Sequence, residues 1–334
     1  MKASFSKYSL NFKRPASTSR GVYTMRDVWF LSLTEGSKTG VGECAPLSGL
    51  SRETPEQVVG LLKDICSNPQ KFIEQPDLLQ DAPSVRFALE TALLDLQNGG
   101  KKILFPSPFT EGKETIIING LIWMSSFEEQ KKQVVEKLES GFSCIKLKIG
   151  SLNFEEELKI IEFIREQKPD ITIRVDANGA FLPEEALSKL KHLSQYHIHS
   201  IEQPIATGNY GCLAQLCAES PIPVALDEEL IGINSRHQKE ELLDKVHPQF
   251  IVLKPSLHGG IQGCNEWIEL AKERSTGWWI TSYLESNIGL NAIAQWAYTK
   301  NVKIPQGLGT GGLFTNNTES YLELTGEKLW NIVT

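Results

Sequence analysis

From residue 115 onward, short apolar runs alternate with segments whose apolar residues recur three and four positions apart. The short runs predict strands and the spaced segments predict amphipathic helices. TIIINGLIW (115–123) leads to a helix over 126–140 and then to strand 143–149. Helix 154–167, strand 171–176, helix 183–194 and strand 198–202 follow. A short helix near 209–218, strand 222–226, helix 235–244 and strand 250–254 continue the rhythm. Helix 261–274, strand 277–282, helix 288–299 and a last run at 302–307 complete it. Eight strands separated by seven helices need mostly parallel connections.

The first 112 residues lack this rhythm. KYSLNFK and VWFLSLT alternate apolar with polar residues, which predicts antiparallel strands. Two helical patterns come next. ETPEQVVGLLKDI offers Thr54 as N-cap and Pro55 in the first helical position. SVRFALETALLDLQNGG starts at Ser84 and closes on Gly99. The predicted organisation is an α+β domain over 1–112 and a barrel over 113–309. The tail, 310–334, is expected to pack back onto the first domain and complete it.

Chemistry enters at the ends of the predicted strands. Asp176 closes ITIRVD, Glu202 closes IHSIE and Asp227 closes IPVALD. From 176 to 202 is 26 residues, and from 202 to 227 is 25. Lys254 lies 27 beyond Asp227, and Lys148 lies 28 before Asp176. One βα unit of a barrel takes about 30 residues. All five side chains then stand at C-terminal strand ends, which meet at one mouth. An open doubly wound sheet is the competing architecture, but it gives no reason for groups on consecutive strands to converge. A single Asp after a strand is commonly a cap or a turn former. Three at one period are better read as ligands. Oxygen-only ligands select a hard divalent cation, Mg²⁺, with Mn²⁺ as a close substitute.

Lys146 and Lys148 are two apart and point to one face of their strand. An exposed alternating strand is the plain alternative, but a barrel strand is buried. Neighbouring ammonium groups and a dication lower a lysine's proton affinity, as a general base requires. Lys148 is read as the base, Lys146 as its electrostatic neighbour, and Lys254 as the charge facing a substrate from the opposite side. Asn178 either bonds into the site or caps the turn after Asp176. Glu228 is a candidate outer partner of Lys148. Ser282, Glu285 and Ser286 follow the seventh strand, where they either contact substrate or start the next helix. Arg20 lies among small polar residues, in a solvated loop or a lid whose guanidinium meets a substrate carboxylate.

Bulk properties narrow the partners. The 334 residues carry a net charge of −7, with 40% apolar and 22% charged residues. That charge disfavours nucleic acid and anionic membranes. No apolar run approaches the ~20 residues of a membrane span, and the N-terminus has no long apolar signal segment. The six cysteines have no CxxC spacing. They are read as reduced thiols in a cytoplasmic protein, and zinc is disfavoured.

KLKIG, VDANG, IEQP, ALDE, LKPS and LESNIG, in this order, resemble the enolase superfamily in its muconate-lactonizing-enzyme branch. The resemblance covers nearly the whole chain. It implies an α/β fold, a modified TIM barrel of (β/α)₇β form under an N-terminal α+β capping domain. It also implies Mg²⁺ on Asp176, Glu202 and Asp227. TMRDVWFLSL, GVGECAPLSGLSRETPEQ, SYLESNIG and GLGTGGLF are similar to the o-succinylbenzoate synthases. That family implies a lyase of menaquinone biosynthesis. Its substrate is a small carboxylate, 2-succinyl-6-hydroxy-2,4-cyclohexadiene-1-carboxylate, dehydrated to 2-succinylbenzoate by lysine proton abstraction and a metal-stabilised enediolate. N-succinylamino-acid racemases and muconate cycloisomerases share the scaffold and are the alternative. Dipeptide epimerases usually carry Asp-x-Asp where this chain has LESN, which disfavours a dipeptide substrate. Many relatives have Glu where this chain has Gln203.

Overall fold

The computed structural model describes residues 1–18 and 21–332. Strands β1 (Lys2–Thr18), β2 (Gly21–Glu35) and β3 (Lys38–Cys44) form an antiparallel sheet in that order. Alternation in VWFLSLT buries Leu31 and Leu33. They pack with Val58 and Leu62 of α1 (Pro55–Ser67) and with Val85 and Ala88 of α3 (Pro83–Gln97). The short α2 (Pro69–Glu74) lies between these helices in the chain. Thr54 caps α1, as the sequence suggests, and with Gln57 it closes a reciprocal capping box. The start of α3 differs by one residue. Pro83 takes the first helical position, and the Ser84 N–H and hydroxyl both donate to Glu53 Oε1 at 2.8 Å. Gly40 and Gly42 let α3 lie directly on β3. A Cβ on them would meet Ala92 O at 2.1 Å and Ala88 O at 2.0 Å.

The run at 115–123 divides into two strands in different sheets. The first, β4 (Ile116–Ile117), leaves the barrel. The second, β5 (Gly120–Ile122), begins it. It continues through β6 (Cys144–Lys148), β7 (Thr172–Asp176), β8 (Ser200–Glu202), β9 (Val224–Leu226), β10 (Phe250–Leu253) and β11 (Gly277–Ile280). These seven strands are parallel and adjacent in chain order. After them, in turn, come α4 (Phe127–Glu139), α5 (Phe154–Gln167), α6 (Pro183–Ser194), α7 (Tyr210–Glu219), α8 (Arg236–Val246), α9 (Gly260–Glu273) and α10 (Asn287–Thr299). Apolar residues between strands and helices form the largest core.

The eighth strand shrinks to two bridging residues. Gln306 pairs with Ile118, and Gly307 pairs with Thr281, both in parallel. Pro305 has no N–H to extend the ladder. The Gln306 side chain stands in, accepting from Ile280 N at 2.8 Å and donating to Ile304 O at 2.6 Å. In the tail, residues 313–316 run beside β1, where the Phe12 and Phe314 rings pack at a tilt with centroids 4.6 Å apart. A final hairpin, β12 (Leu322–Thr325) and β13 (Lys328–Asn331), pairs with β4. Among the described residues no helix is long and apolar enough to cross a membrane. All six cysteines are free.

Charged groups latch the first sheet to the barrel. The Arg26 guanidinium donates to the carbonyls of Ala45, Pro46, Tyr283 and Leu284. Glu43 on β3 receives Ser286 N and Oγ and Gly289 N, all at the start of α10. Burial pushes the Glu43 carboxyl up to about 7 despite these donors, with Glu285 adding to the rise and Arg26 opposing it. Between an unfolded value of 4.5 and this folded value, the folded chain holds a proton that the unfolded chain has released. Stability from Glu43 therefore falls as pH rises through that window and levels off above it. Glu43→Gln is expected to flatten that part of the slope. Urea melts of both proteins from pH 5 to 8 check it, and parallel slopes would count against it. Glu43→Ala leaves buried donors unpaired and is expected to cost about 2–4 kcal/mol in the same melts.

Candidate active site

The parallel register sets Lys148 beside Asp176 and Asp176 beside Glu202. Asp227 and Lys254 each stand one residue past the end of their strands, β9 and β10. These five side chains, with Lys146, meet at the C-terminal mouth of the barrel. Asp176, Glu202 and Asp227 are buried, and one carboxylate oxygen from each lies within 4.8 Å of the others. Among the described residues this is the one such acidic cluster.

Each carboxylate has a lysine. Lys146 Nζ is 2.9 Å from Asp176 Oδ2 and donates to Glu202 Oε2. Lys148 Nζ is 3.3 Å from Asp176 Oδ2 and 2.7 Å from Asn178 Oδ1. Lys254 Nζ donates to both oxygens of Asp227, at 2.6 and 2.5 Å. Burial disfavours the charge on Lys146, but the carboxylates of Asp176, Glu202 and Asp227 outweigh it and hold its pKa above that of a free lysine. Mutual depression by neighbouring ammonium groups, expected from the sequence, is thus overridden for Lys146. Burial also works against the ionised form of Asp176, yet Lys146 and Lys148 hold its carboxyl well below the usual range. Glu202 goes the other way. Burial pushes it up to about 7, and Asp176 and Asp227 add to this against Lys146.

The donor set fits a divalent cation. Three hard carboxylate ligands face one point. Among the described residues Glu202 Oε1 is buried with no hydrogen-bond partner, a lone pair that a cation would use.

Other candidates are placed as follows. Asn178 bridges Lys148 to Glu228, donating to Glu228 Oε1 at 2.8 Å. Its own N–H also closes a turn on Asp176 Oδ1 at 3.0 Å, so both readings of Asn178 apply. Glu228 thereby reaches Lys148 through Asn178. Ser282 lines the pocket, with its hydroxyl 2.6 Å from that of Thr310. Glu285 and Ser286 are turned away from it. Glu285 receives Ser256 Oγ at 2.6 Å and Tyr283 N, while Ser286 caps α10 and meets Glu43. Arg20 lies outside the described residues.

Above the acidic cluster is a cavity of about 100 Å³. Its floor holds Lys146, Lys148, Asp176 and Lys254, and its walls include Leu47, Leu50, Leu121, Trp123 and Leu284. The first sheet's following loop supplies Leu47 and Leu50, which no motif marked as site residues. Thr310 follows the closing strand, and its place in GLGTGG is the signal that would have found it. Below the cluster, Arg174 on the same face of β7 is fully buried, its guanidinium 4.3 Å from the Trp279 ring. The arrangement suits a carboxylate-bearing apolar molecule held by cationic charge, with an amine beside the carbon next to its carboxylate.

Residues 129–315 match the enolase C-terminal domain-like family, and residues 1–96 match the MenC N-terminal domain family. The chain is 44% identical to an o-succinylbenzoate synthase from Desulfotalea psychrophila, over 98% of each chain. It superposes on the crystal structure of MenC from the same organism with a TM-score of 0.87, at 41% identity and 99% coverage of both chains. The fold is also that of the L-Ala-D/L-Glu epimerase from Bacillus subtilis, with a TM-score of 0.85, 19% identity, and 99% of this chain and 96% of that one covered.

Proposed function

The chain belongs to the o-succinylbenzoate synthase family of the enolase superfamily, and we propose that its mouth residues carry out that family's dehydration. The enzyme is a lyase. It converts 2-succinyl-6-hydroxy-2,4-cyclohexadiene-1-carboxylate to 2-succinylbenzoate and water, a step of menaquinone biosynthesis. The observation that carries the site assignment is the Lys148 amine, 3.3 Å from a carboxylate of the acidic cluster and open to an apolar pocket.

In this reading Asp176, Glu202 and Asp227 hold Mg²⁺, for which Mn²⁺ can substitute. The cation, when bound, supplies positive charge to the substrate's ring carboxylate. Lys148 Nζ takes the proton from the ring carbon that bears this carboxylate. Asn178 aims Lys148, and Glu228 aims Asn178. Lys146 stays charged and balances the acidic cluster. Lys254 faces the other side of the ring and offsets the charge that develops there. Departure of the ring hydroxyl on the Lys148 side uses the proton just taken. The C–H and C–O bonds break, a ring double bond forms, and water leaves. The aromatic product makes the reaction downhill.

Ser282, backed by Thr310, is assigned to the substrate's polar periphery. Arg20 is assigned to the succinyl carboxylate. Glu285 and Ser286 act on substrate only through the loop they hold. We assign 1–112 with the first part of the tail, which runs beside β1, to the cap and 113–309 to the barrel, whose strand β4 takes up the final hairpin β12–β13. We also propose that it is a cytoplasmic, small-molecule enzyme with no nucleic-acid or membrane partner, a reading supported by the net charge of −7 and the six free cysteines.

The test is an assay of the purified protein with the cyclohexadiene substrate, following loss of the diene absorbance. Turnover that needs Mg²⁺ and stops on chelation is expected. Absent turnover with Mg²⁺, or turnover indifferent to chelation, would reject the proposal.

A further inference from the structure

Gln203 follows Glu202 directly, and nothing in the proposed reaction uses it. It is fully buried. Its backbone is left-handed, with φ of +37°. A non-glycine residue keeps that conformation only where its surroundings over-determine it. Here they do. Oε1 accepts from Asp227 N at 3.3 Å and Glu229 N at 3.1 Å. Nε2 donates to Ile205 O at 3.0 Å and Glu229 Oε2 at 3.1 Å. The side-chain amide thus uses both its acceptor sites and both its donors. Its backbone extends the reach, since Gln203 N donates to Ala225 O at 2.9 Å and Gly179 N donates to Gln203 O at 2.6 Å. One residue therefore ties together the ends of β7, β8 and β9, the three strands that bring Asp176, Glu202 and Asp227.

We propose that Gln203 is a positioning residue for the cation site, its amide fixing Asp227 against Glu202 at the spacing a shared ion needs. The inference rests on reading the three carboxylates as that site. With Glu229 opposite it, an amide suits the task and a carboxylate does not. Glu at this position could still accept from Asp227 N and Glu229 N. It would have no hydrogen for Ile205 O or Glu229 Oε2, and would set two carboxylates against each other. Glu229 is itself held in place, accepting from Gly208 N at 2.8 Å through its other oxygen. Exchanging amide and carboxylate would therefore keep the bond between these two side chains and lose only the one to Ile205 O. Gln at 229 would keep the bond to Gly208 N and donate to Glu at 203.

The test compares Gln203→Met, Gln203→Glu and the exchange Gln203→Glu/Glu229→Gln. Mn²⁺ is titrated into the metal-free proteins by calorimetry, and the thermal midpoint of each metal-free protein is recorded. Gln203→Met is expected to weaken Mn²⁺ binding about 10–100-fold, as loss of an outer partner does. Gln203→Glu should fall between it and the parent, and the exchange should recover part of the loss, since the bond to Ile205 O stays missing. The Mg²⁺ concentration for half-maximal rate should rise more than the saturated rate falls. Unchanged Mn²⁺ affinity in Gln203→Met would overturn the proposal. So would losses that follow only the thermal midpoints, with no recovery in the exchange, because that is what a merely structural residue gives. Should Gln203→Met not fold, the other two proteins decide alone by recovery or its absence. Asp176→Asn serves as the control. If it binds Mn²⁺ as the parent does, the cation site itself is misassigned. If it fails to bind while Gln203→Met is unaffected, only the role of Gln203 falls.

Discussion

Lys148→Ala is expected to lower kcat by at least ~10³-fold, within the range that removing a general base costs. The expectation follows from where the amine stands. Lys148 Nζ is the lysine nitrogen bound to Asn178, with a longer contact to Asp176. Lys146 and Lys254 are each committed to carboxylates at 2.9 Å or less. A lysine locked in such pairs is a poor proton acceptor. The variant is expected to fold, because removing the Lys148 side chain leaves Asp176 still paired with Lys146. A thermal midpoint near that of the parent and undiminished Mn²⁺ binding should accompany the lost turnover. Steady-state rates with a melting curve and a Mn²⁺ titration check all three. Retained turnover would remove Lys148 from the base role.

Asp176→Asn is expected to weaken divalent-cation binding by more than the ~10–100-fold typical of an outer partner. Asp176 is the hub of the cluster. It contacts Lys146, Lys148 and the Asn178 N–H, and it lies between the other candidate ligand strands and the base. The amide removes one carboxylate from the ion's surroundings and leaves the Lys146 and Lys148 ammonium groups beside a less negative cluster. Both changes repel a cation. Calorimetric titration reads the affinity, and the dependence of rate on Mg²⁺ reads its consequence. A Mg²⁺ dependence identical to the parent's would contradict the ligand assignment.

Much of this site was legible in the chain because a barrel converts a sequence period into convergence in space. Asp176, Glu202 and Asp227 recur at nearly equal intervals, and each ends an apolar run, so their meeting needed no knowledge of tertiary contacts. Lys146 and Lys148 were readable from strand parity. The loop after β11 was not. Leu284 takes a left-handed backbone, φ +59°, which turns Glu285 and Ser286 away from the pocket. Apolar pattern does not encode that turn. The divided run at 115–123 failed for a related reason, since alternation cannot tell one strand from two in different sheets. The latch of Arg26 and Glu43 onto residues 283–289 joins groups more than 240 positions apart. No local signal reports such a contact. Gln203 was visible as a residue but not as a link, because its partners lie on neighbouring strand ends.

The central claim is that one divalent ion binds between the carboxylates beside Lys148. Anomalous scattering from crystals soaked in Mn²⁺ addresses it directly. The account expects a single strong peak about 2.0–2.2 Å from an oxygen of each of Asp176, Glu202 and Asp227. A map with no peak there, or with the ion held by other residues, would contradict it.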